Sequence, residues 1–239
     1  MRRILTALTV FGLAATVPAL GPATAQSQDH ASRRTVTLDA RALLSATAYQ
    51  RGPVSGTQLD PAPVNGVTPP FPGQPVPGFS AVIAADPGDR SGRRLLAMPD
   101  NGFGAKTNSA DFLLRAYVIE PRYRTGRGGA GTIRIRETIS FRDPARRVPF
   151  PIVNEHTPDR LLTGADFDIE SLQRDARGDL WVGDEFGPSL LRLDRTGKVL
   201  QAPIPLPDGT KSPQSPDLKP GEPPTLPASK GVRGDGGQP

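Results

Sequence analysis

The chain has 239 residues, of which 26 are Gly and 28 are Pro, with 36% hydrophobic and 5% aromatic residues. This composition predicts one modest domain with unpacked segments and excludes a large multidomain enzyme. The absence of Cys excludes disulfides and thiolate chemistry, and two His residues leave little for a zinc site, so a bound metal would need oxygen ligands. The formal net charge of +5 gives little support to nucleic-acid binding.

Residues 1–25 have the pattern of a secretory signal peptide. Arg2 and Arg3 form a cationic start, residues 4–15 form an apolar core, and residues 23–25 spell an A-x-A cleavage site. The apolar core of about 12 residues is too short to span a bilayer. We therefore expect a secreted protein with no stable membrane insertion after cleavage.

Short apolar runs bounded by Gly, Pro, Asp or Asn predict β-strands in the next part of the chain. The predicted strands are residues 35–38, 79–84, 94–98, 113–119 and 132–141. Residues 51–78 contain 8 Pro and 5 Gly, so we expect an extended connector or surface loop there with no strand of its own.

The most regular pattern follows in residues 166–203. It predicts strands over residues 166–173, 180–183, 190–193 and 198–203, separated by turns. Four strands in about 40 residues match one β-propeller blade, with an ordinary meander of a sandwich or barrel as the alternative. We predict an all-β fold of propeller-like meander blades, incomplete, with Pro/Gly-rich connectors.

The C-terminal part is rich in turn formers. Residues 202–239 contain 10 Pro and 6 Gly and no aromatic residue, a composition that cannot bury enough surface to fold alone. We therefore predict a folded domain over residues 26–207 and a disordered tail over residues 208–239.

Acidic residues recur with the period of a strand. Asp166, Asp168 and Glu170 would project from one face of the predicted strand 166–173, and Asp184 and Glu185 follow the next strand. Carboxylates that share a face repel one another unless a cation lies between them, and Ca²⁺ takes such oxygen ligands. The pattern fits a calcium site, with a solvated acidic face as the alternative.

Basic residues dominate a different stretch. Residues 115–147 contain nine Arg against three acidic residues, and Arg115 opens this stretch. If the basic and acidic faces met at one cleft, arginine forks and a metal would suit an anionic substrate. The alternative is a set of solvated arginines on strand exteriors.

A third candidate is the turn sequence at residues 100–104. Asp100 or Asn101 can supply a side-chain oxygen to a metal or simply cap its own turn.

At these motifs the sequence resembles the phytase-like domain family, known as esterase-like activity of phytase. The matching blocks are residues 78–80, 98–104, 108–115, 162–171 and 179–188, within about residues 35–207. The resemblance implies a propeller-like fold, export, and metal-assisted hydrolysis of phosphate or carboxylic esters. It implies metal or catalytic roles for the carboxylates, with Asp100 and Asn101 as a second group.

The predicted site follows from the motifs and the resemblance together. We predict catalytic residues Asp168, Glu170 and Glu185, substrate-binding residues Arg115 and Asn101, and metal ligands Asp166, Asp168, Asp184 and Asp100. The expected cofactor is Ca²⁺, and the expected partner is a small anionic ester.

Members of this family are longer, so we interpret the chain as the N-terminal portion of an exported hydrolase. A single inserted base near codon 232 would replace the family's next acidic motif with the Gly-rich end seen here. The alternatives are a non-catalytic exported β-propeller module with a structural cation, or an inactive truncated product.

Overall fold

A computed structural model describes residues 36–63, 66–86, 88, 92–216 and 218–225. Throughout these residues the regular structure is β-strand, and no helix occurs among them. The strands are β1 (Ala40–Arg41), β2 (Tyr49–Gln50), β3 (Gln74–Pro75), β4 (Ala81–Ala84), β5 (Leu95–Met98), β6 (Arg115–Arg122), β7 (Arg124–Thr125), β8 (Thr132–Ser140), β9 (Ile169–Arg174), β10 (Leu180–Asp184), β11 (Ser189–Leu193) and β12 (Ile204–Pro205).

The first large sheet is a four-stranded antiparallel meander in the order β4-β5-β6-β8. Its two faces differ because successive side chains of a strand point to opposite sides. On β6, Ala116 joins the main core, whereas Tyr117 and Ile119 pack in a smaller cluster with Val76. The sheet is therefore covered on both faces over its central part.

The second large sheet is also an antiparallel meander, in the order β12-β11-β10-β9. Its inner face buries the side chains of Leu172, Val182 and Leu191. Trp181 points the other way: its indole N–H donates to Asp175 at 3.1 Å, and the guanidinium of Arg192 lies 5.5 Å from its ring centroid.

Both sheets contribute to one hydrophobic core. Leu96 and Met98 of the first sheet lie in the same cluster as Ile169 and Leu193 of the second. Burying each such side chain contributes about 1.5–3 kcal/mol, so this shared core is the main stabilising contact between the sheets.

Backbone hydrogen bonds reinforce the core where three loops meet. The N–H of Phe141 donates to the Leu114 carbonyl, that of Leu162 to Phe141, and that of Leu114 to Leu162, each at 2.9 Å. This closed triangle fixes residues 162–164 against the end of the first sheet.

The all-β prediction is confirmed, and the propeller is not: the described sheets are open antiparallel meanders that close into neither a barrel nor a propeller. Strands β4, β5, β8, β10 and β11 lie where the sequence predicted strands. Strand β6 was predicted at residues 113–119 and runs over Arg115–Arg122. Two other predictions of strand position were wrong. The strand predicted from Asp166 begins at Ile169, and the one predicted at residues 198–203 is replaced by β12.

The segments predicted to lack structure are more ordered than their composition indicated. The connector 51–78 contributes β3, and its Gln74 and Val76 are buried against the first sheet. Contacts also continue past Pro207, since the Ser212 hydroxyl donates to the Phe186 carbonyl at 2.6 Å. Hydrogen bonds with side chains also satisfy backbone N–H and C=O groups outside regular strands. The spacing of apolar residues does not predict such hydrogen bonds.

At the N-terminus, Val36 to Asp39 form no strand, and the first strand is β1. Thr35, the predicted signal peptide and residues 226–239 lie outside the described residues. None of the described residues belongs to a helix long and apolar enough to cross a membrane.

We expect Gly164→Ala to destabilise the protein by about 3 kcal/mol, because insertion into a packed site forces backbone shifts. A Cβ at Gly164 would overlap the backbone oxygen of Asn101 and lie 2.7 Å from Ser109 Cβ. Gly126→Ala is the control, since a Cβ there meets nothing within 4 Å. Urea unfolding measures both. Equal stabilities for the two variants would contradict the close packing at Gly164.

Candidate active site

Asp184 anchors the loop that leads into the site. Its Oδ1 accepts the N–H groups of Asp168 at 2.9 Å and Phe186 at 3.1 Å, and its Oδ2 accepts the N–H of Gly187 at 2.8 Å and the hydroxyl of Ser189 at 3.1 Å. Burial raises the pKa of Asp184, and these hydrogen bonds oppose the rise. Both oxygens are therefore already used to hold the β10–β11 turn against the start of β9.

Asp166 plays the same part in the loop before β9. Its Oδ1 accepts the Val153 N–H, and its Oδ2 accepts the N–H and hydroxyl of Thr163, all within 2.8–3.0 Å. Burial raises its pKa, against the effect of these hydrogen bonds. Asp166 lies in a turn, so the expectation that Asp166, Asp168 and Glu170 share one strand face was wrong.

Four other acidic residues gather at this end of the two sheets: Asp100, Asp168, Glu170 and Glu185, hereafter the carboxylate cluster. Asp100 follows β5, Glu170 lies on β9, and the backbone N–H of Glu185 donates to the Asp168 carbonyl at 2.8 Å. The cluster draws on three segments in which the sequence analysis placed candidate residues, and three of its four residues lie in loops.

The pKa of Asp168 is raised to about 7, first by burial and then by the charges of Glu170, Asp100 and Glu185. Hydrogen bonding from the Asn101 backbone opposes this rise. The pKa of Glu170 is also raised by burial and by the neighbouring carboxylates, while hydrogen bonding from the Ser80 hydroxyl lowers it. A carboxyl group with a pKa near neutrality can both take up and release a proton at physiological pH.

Asp168 also carries an unsatisfied atom. Its Oδ1 is buried and accepts no hydrogen bond. A buried acceptor without a partner costs free energy, so this oxygen is suited to receive a proton or a cation. Among the described residues, however, no three His, Asp or Glu side chains converge closely enough to hold a metal ion.

Asn101 was predicted to bind substrate, but its side chain is completely buried and has no surface exposed to solvent. Its Oδ1 accepts the Gly104 N–H at 2.8 Å, and Asp100 Oδ1 accepts the Gly102 N–H at 2.7 Å. These are the turn-capping contacts that the sequence offered as the alternative reading. The Asn101 Nδ2 is buried without a hydrogen-bond partner.

Arg115 points to the same face of the first sheet as Tyr117. This is the face that packs on the smaller core cluster, not the face that packs on the main core. Arg115 is 5% exposed, and its Nε and Nη1 make no hydrogen bond. Among the described residues, Arg115 forms no ion pair with a carboxylate.

Sequence reasoning missed two features near the anchoring residues Asp166 and Asp184. The Lys106 ammonium group lies 5.5 Å from the Phe186 ring centroid. Its positive charge opposes the rise that burial causes in the pKa of Asp166. A cavity of about 290 Å³ adjoins Asp184 and Ser189, lined largely by prolines together with Phe150 and Lys211. Its walls include Gly209, Thr210, Lys211, Ser215 and Pro216, which lie in the segment predicted to be a disordered tail.

We expect Asp168→Asn to stabilise the protein at pH 8 and to change little at pH 4. A carboxyl group whose pKa rises from 3.8 to about 7 on folding opposes folding increasingly as pH rises between those values. Because Asp168 is only partly buried, we expect a gain of about 1–2 kcal/mol. Thermal unfolding at both pH values measures it.

Asp175→Asn is the control for Asp168→Asn, with the opposite sign. The Trp181 indole lowers the pKa of Asp175, so this carboxylate favours folding at neutral pH and stops doing so in acid. Asp175→Asn should therefore lose stability at pH 8. A parallel pH profile for the two variants would contradict the raised pKa of Asp168.

Arg115→Met should leave stability unchanged or raise it, because it removes a buried charge that has no carboxylate partner. The matched control is Arg160→Met. Arg160 is 4% exposed, lies 3.3 Å from Asp143 and donates to two carbonyls, so its loss should cost about 3–5 kcal/mol. A comparable loss in both variants, measured by urea unfolding, would contradict the absence of a carboxylate partner for Arg115.

Comparison with known proteins gives one match. A family model described as "Phytase-like: Esterase-like activity of phytase" matches residues 74–237. No curated protein and no solved structure matches the chain. The matched residues span the first large sheet, the carboxylate cluster and the second large sheet, more than half of the chain. The chain therefore belongs to the phytase-like family described by esterase-like activity of phytase.

Proposed function

We propose that this protein is an exported ester hydrolase whose proton-transfer residue is Asp168. The observation that carries the proposal is the buried, unpartnered Oδ1 of a carboxyl group whose pKa lies at about 7. Membership of the phytase-like family supports hydrolysis, and the signal-like pattern of residues 1–25 supports export.

Hydrolysis needs a base for water and an acid for the leaving group. Ionised Asp168 takes a proton from water as the water oxygen bonds to the acyl carbon or phosphorus. As the bond between that atom and the leaving oxygen breaks, the leaving oxygen takes a proton from Glu170, whose pKa is raised by burial. Loss of the proton from Asp168 to solvent and uptake of a proton by Glu170 restore the starting state. Asp100 and Glu185 act through their charges, which keep both pKa values high.

The charge of the cluster bears on the substrate. Four neighbouring carboxylates repel a phosphate ester, whereas a neutral carboxylic ester meets no such barrier. The proline-lined cavity of about 290 Å³ adjoins Asp184, whose carboxylate holds the Asp168 backbone, and we propose it as the site for the apolar part of an ester. Carboxylic esters are therefore the substrates that the chain's own side chains favour.

Phosphate esters require a counter-charge, and we propose Ca²⁺ for it. Asp168 and Glu170 would hold the ion, since both carboxylate oxygens of Asp166 and of Asp184 already accept hydrogen bonds. Two carboxylates leave the remaining ligand positions to water and backbone oxygens, which Ca²⁺ accepts. The ion would neutralise the cluster and polarise a phosphoryl oxygen.

We further propose that the two four-stranded meanders are propeller blades. Each has four antiparallel strands in chain order, and the sheets pack face to face on one core.

The test is hydrolysis of p-nitrophenyl butyrate and p-nitrophenyl phosphate, each with Ca²⁺ and with EDTA. Butyrate turnover should persist in EDTA, and kcat/KM should rise through pH 7 as Asp168 ionises. Asp168→Asn should remove this pH dependence and lower kcat about 10²–10⁴-fold, with a smaller loss in Glu170→Gln. Phosphate turnover should require Ca²⁺.

Glu137→Gln serves as the matched control, because Glu137 is exposed on β8, away from the cluster. Folded protein without turnover of either ester, or full activity in Asp168→Asn, would refute the hydrolase proposal. Phosphate turnover in EDTA would refute the role of calcium alone.

A further inference from the structure

The end of the first large sheet opposite the carboxylate cluster is strongly basic. Asp100 follows the C-terminal end of β5, whereas Arg93 and Arg94 precede its N-terminal end. The antiparallel register brings the last residues of β6 and the first residues of β8 to the same end, with Arg122 paired to Thr132. We call this end the basic end.

Arginines outnumber carboxylates at the basic end, although Asp86 of the β4–β5 turn lies there together with Glu120. Arg93, Arg94, Glu120 and Arg136 line an open groove of about 580 Å³. Glu120 pairs with Arg136, and Arg122 and Arg134 are close enough to lower its pKa further. Arg94, Arg122 and Arg134 form no ion pair with a described carboxylate, so the basic end keeps a positive excess.

Exposed apolar side chains lie beside these arginines. β1 pairs with β7, which places Arg41 opposite Arg124, and Leu43 forms a bridge with Thr132 at the start of β8. Leu43 is 65% exposed, and Tyr123, between Arg122 and Arg124, is 49% exposed. Leu38, just before β1, is 79% exposed.

We propose that the basic end binds the surface of a bilayer containing anionic lipids. The arginines pair with lipid phosphates, while Leu38, Leu43 and Tyr123 enter the boundary between headgroups and acyl chains. Arginine suits phosphate because its planar fork donates two hydrogen bonds, and a tyrosine ring suits an interface that is apolar on one side and wet on the other.

The apolar side chains distinguish a bilayer from a soluble polyanion. A polyanion would engage the arginines alone and leave these side chains in water, whereas a bilayer interface accepts charge and apolar surface together. Because β5 separates the two ends, binding in this way leaves the carboxylate cluster facing away from the lipid. The proposal does not rest on the hydrolase activity.

The experiment is co-sedimentation of the intact protein with vesicles of phosphatidylcholine alone or with roughly 30% phosphatidylglycerol. The test variant is Arg94→Gln with Arg122→Gln and Arg134→Gln. The control variant is Arg147→Gln with Arg177→Gln and Arg195→Gln, which removes the same charge from exposed positions elsewhere. A third variant is Leu43→Ser with Tyr123→Ser.

We expect binding only with phosphatidylglycerol, about a hundredfold weaker in the test variant and nearly unchanged in the control. Leu43→Ser with Tyr123→Ser should weaken binding about fivefold, and the loss should persist at about 0.5 M NaCl, where charge is screened. Circular dichroism confirms that each variant is folded.

Three results would overturn the proposal. These are no vesicle binding by the wild-type protein, equal losses in the test and control variants, or tight binding to soluble polyphosphate with no loss in Leu43→Ser with Tyr123→Ser. The last result would assign the basic end to a polyanion instead of a bilayer.

Discussion

Four hydrogen bonds converge on the carboxylate of Asp184, and the geometry of the carboxylate cluster depends on them. They join the backbone of Asp168, the turn after β10 and the first residue of β11. Because one buried carboxylate accepts donors from two separate segments, it fixes Asp168 and Glu185 relative to each other. Asp166 does the same between residues 153 and 163. Two acidic residues are thus used to hold others in place.

The different roles of these acidic residues explain what could and could not be predicted from the sequence. The alternation of apolar residues in Leu180–Asp184 and Ser189–Leu193 is a local property, and it predicted both strands. The roles of Asp166 and Asp184 could not be predicted in this way, since an acidic residue has the same spacing whether it binds a metal or caps a turn. The start of β9 at Ile169 was missed for the same reason, because the Asp166 carboxylate accepts backbone N–H groups in a turn where a strand was predicted.

The basic residues are a second example of a feature that could be predicted only in part from the sequence. Their number in residues 115–147 was evident from the sequence, but a meander carries alternate strand ends to opposite ends of a sheet. Arg122 and Arg134 therefore lie at the end of the sheet opposite Asp100. Arg115 is at the same end as Asp100 but on the other face, a difference that depends on the pleat and on the bulge between Val118 and Ile119.

Trp181 is the only tryptophan of the chain, and it lies in the middle of the second large sheet with Arg192 across its ring. Intrinsic fluorescence excited at the indole therefore reports on β9–β11 alone. The far-ultraviolet dichroism of the protein, by contrast, averages over both large sheets. A difference between the two signals during denaturation would reveal that the sheets separate in sequence, and coincident signals would identify a single cooperative unit.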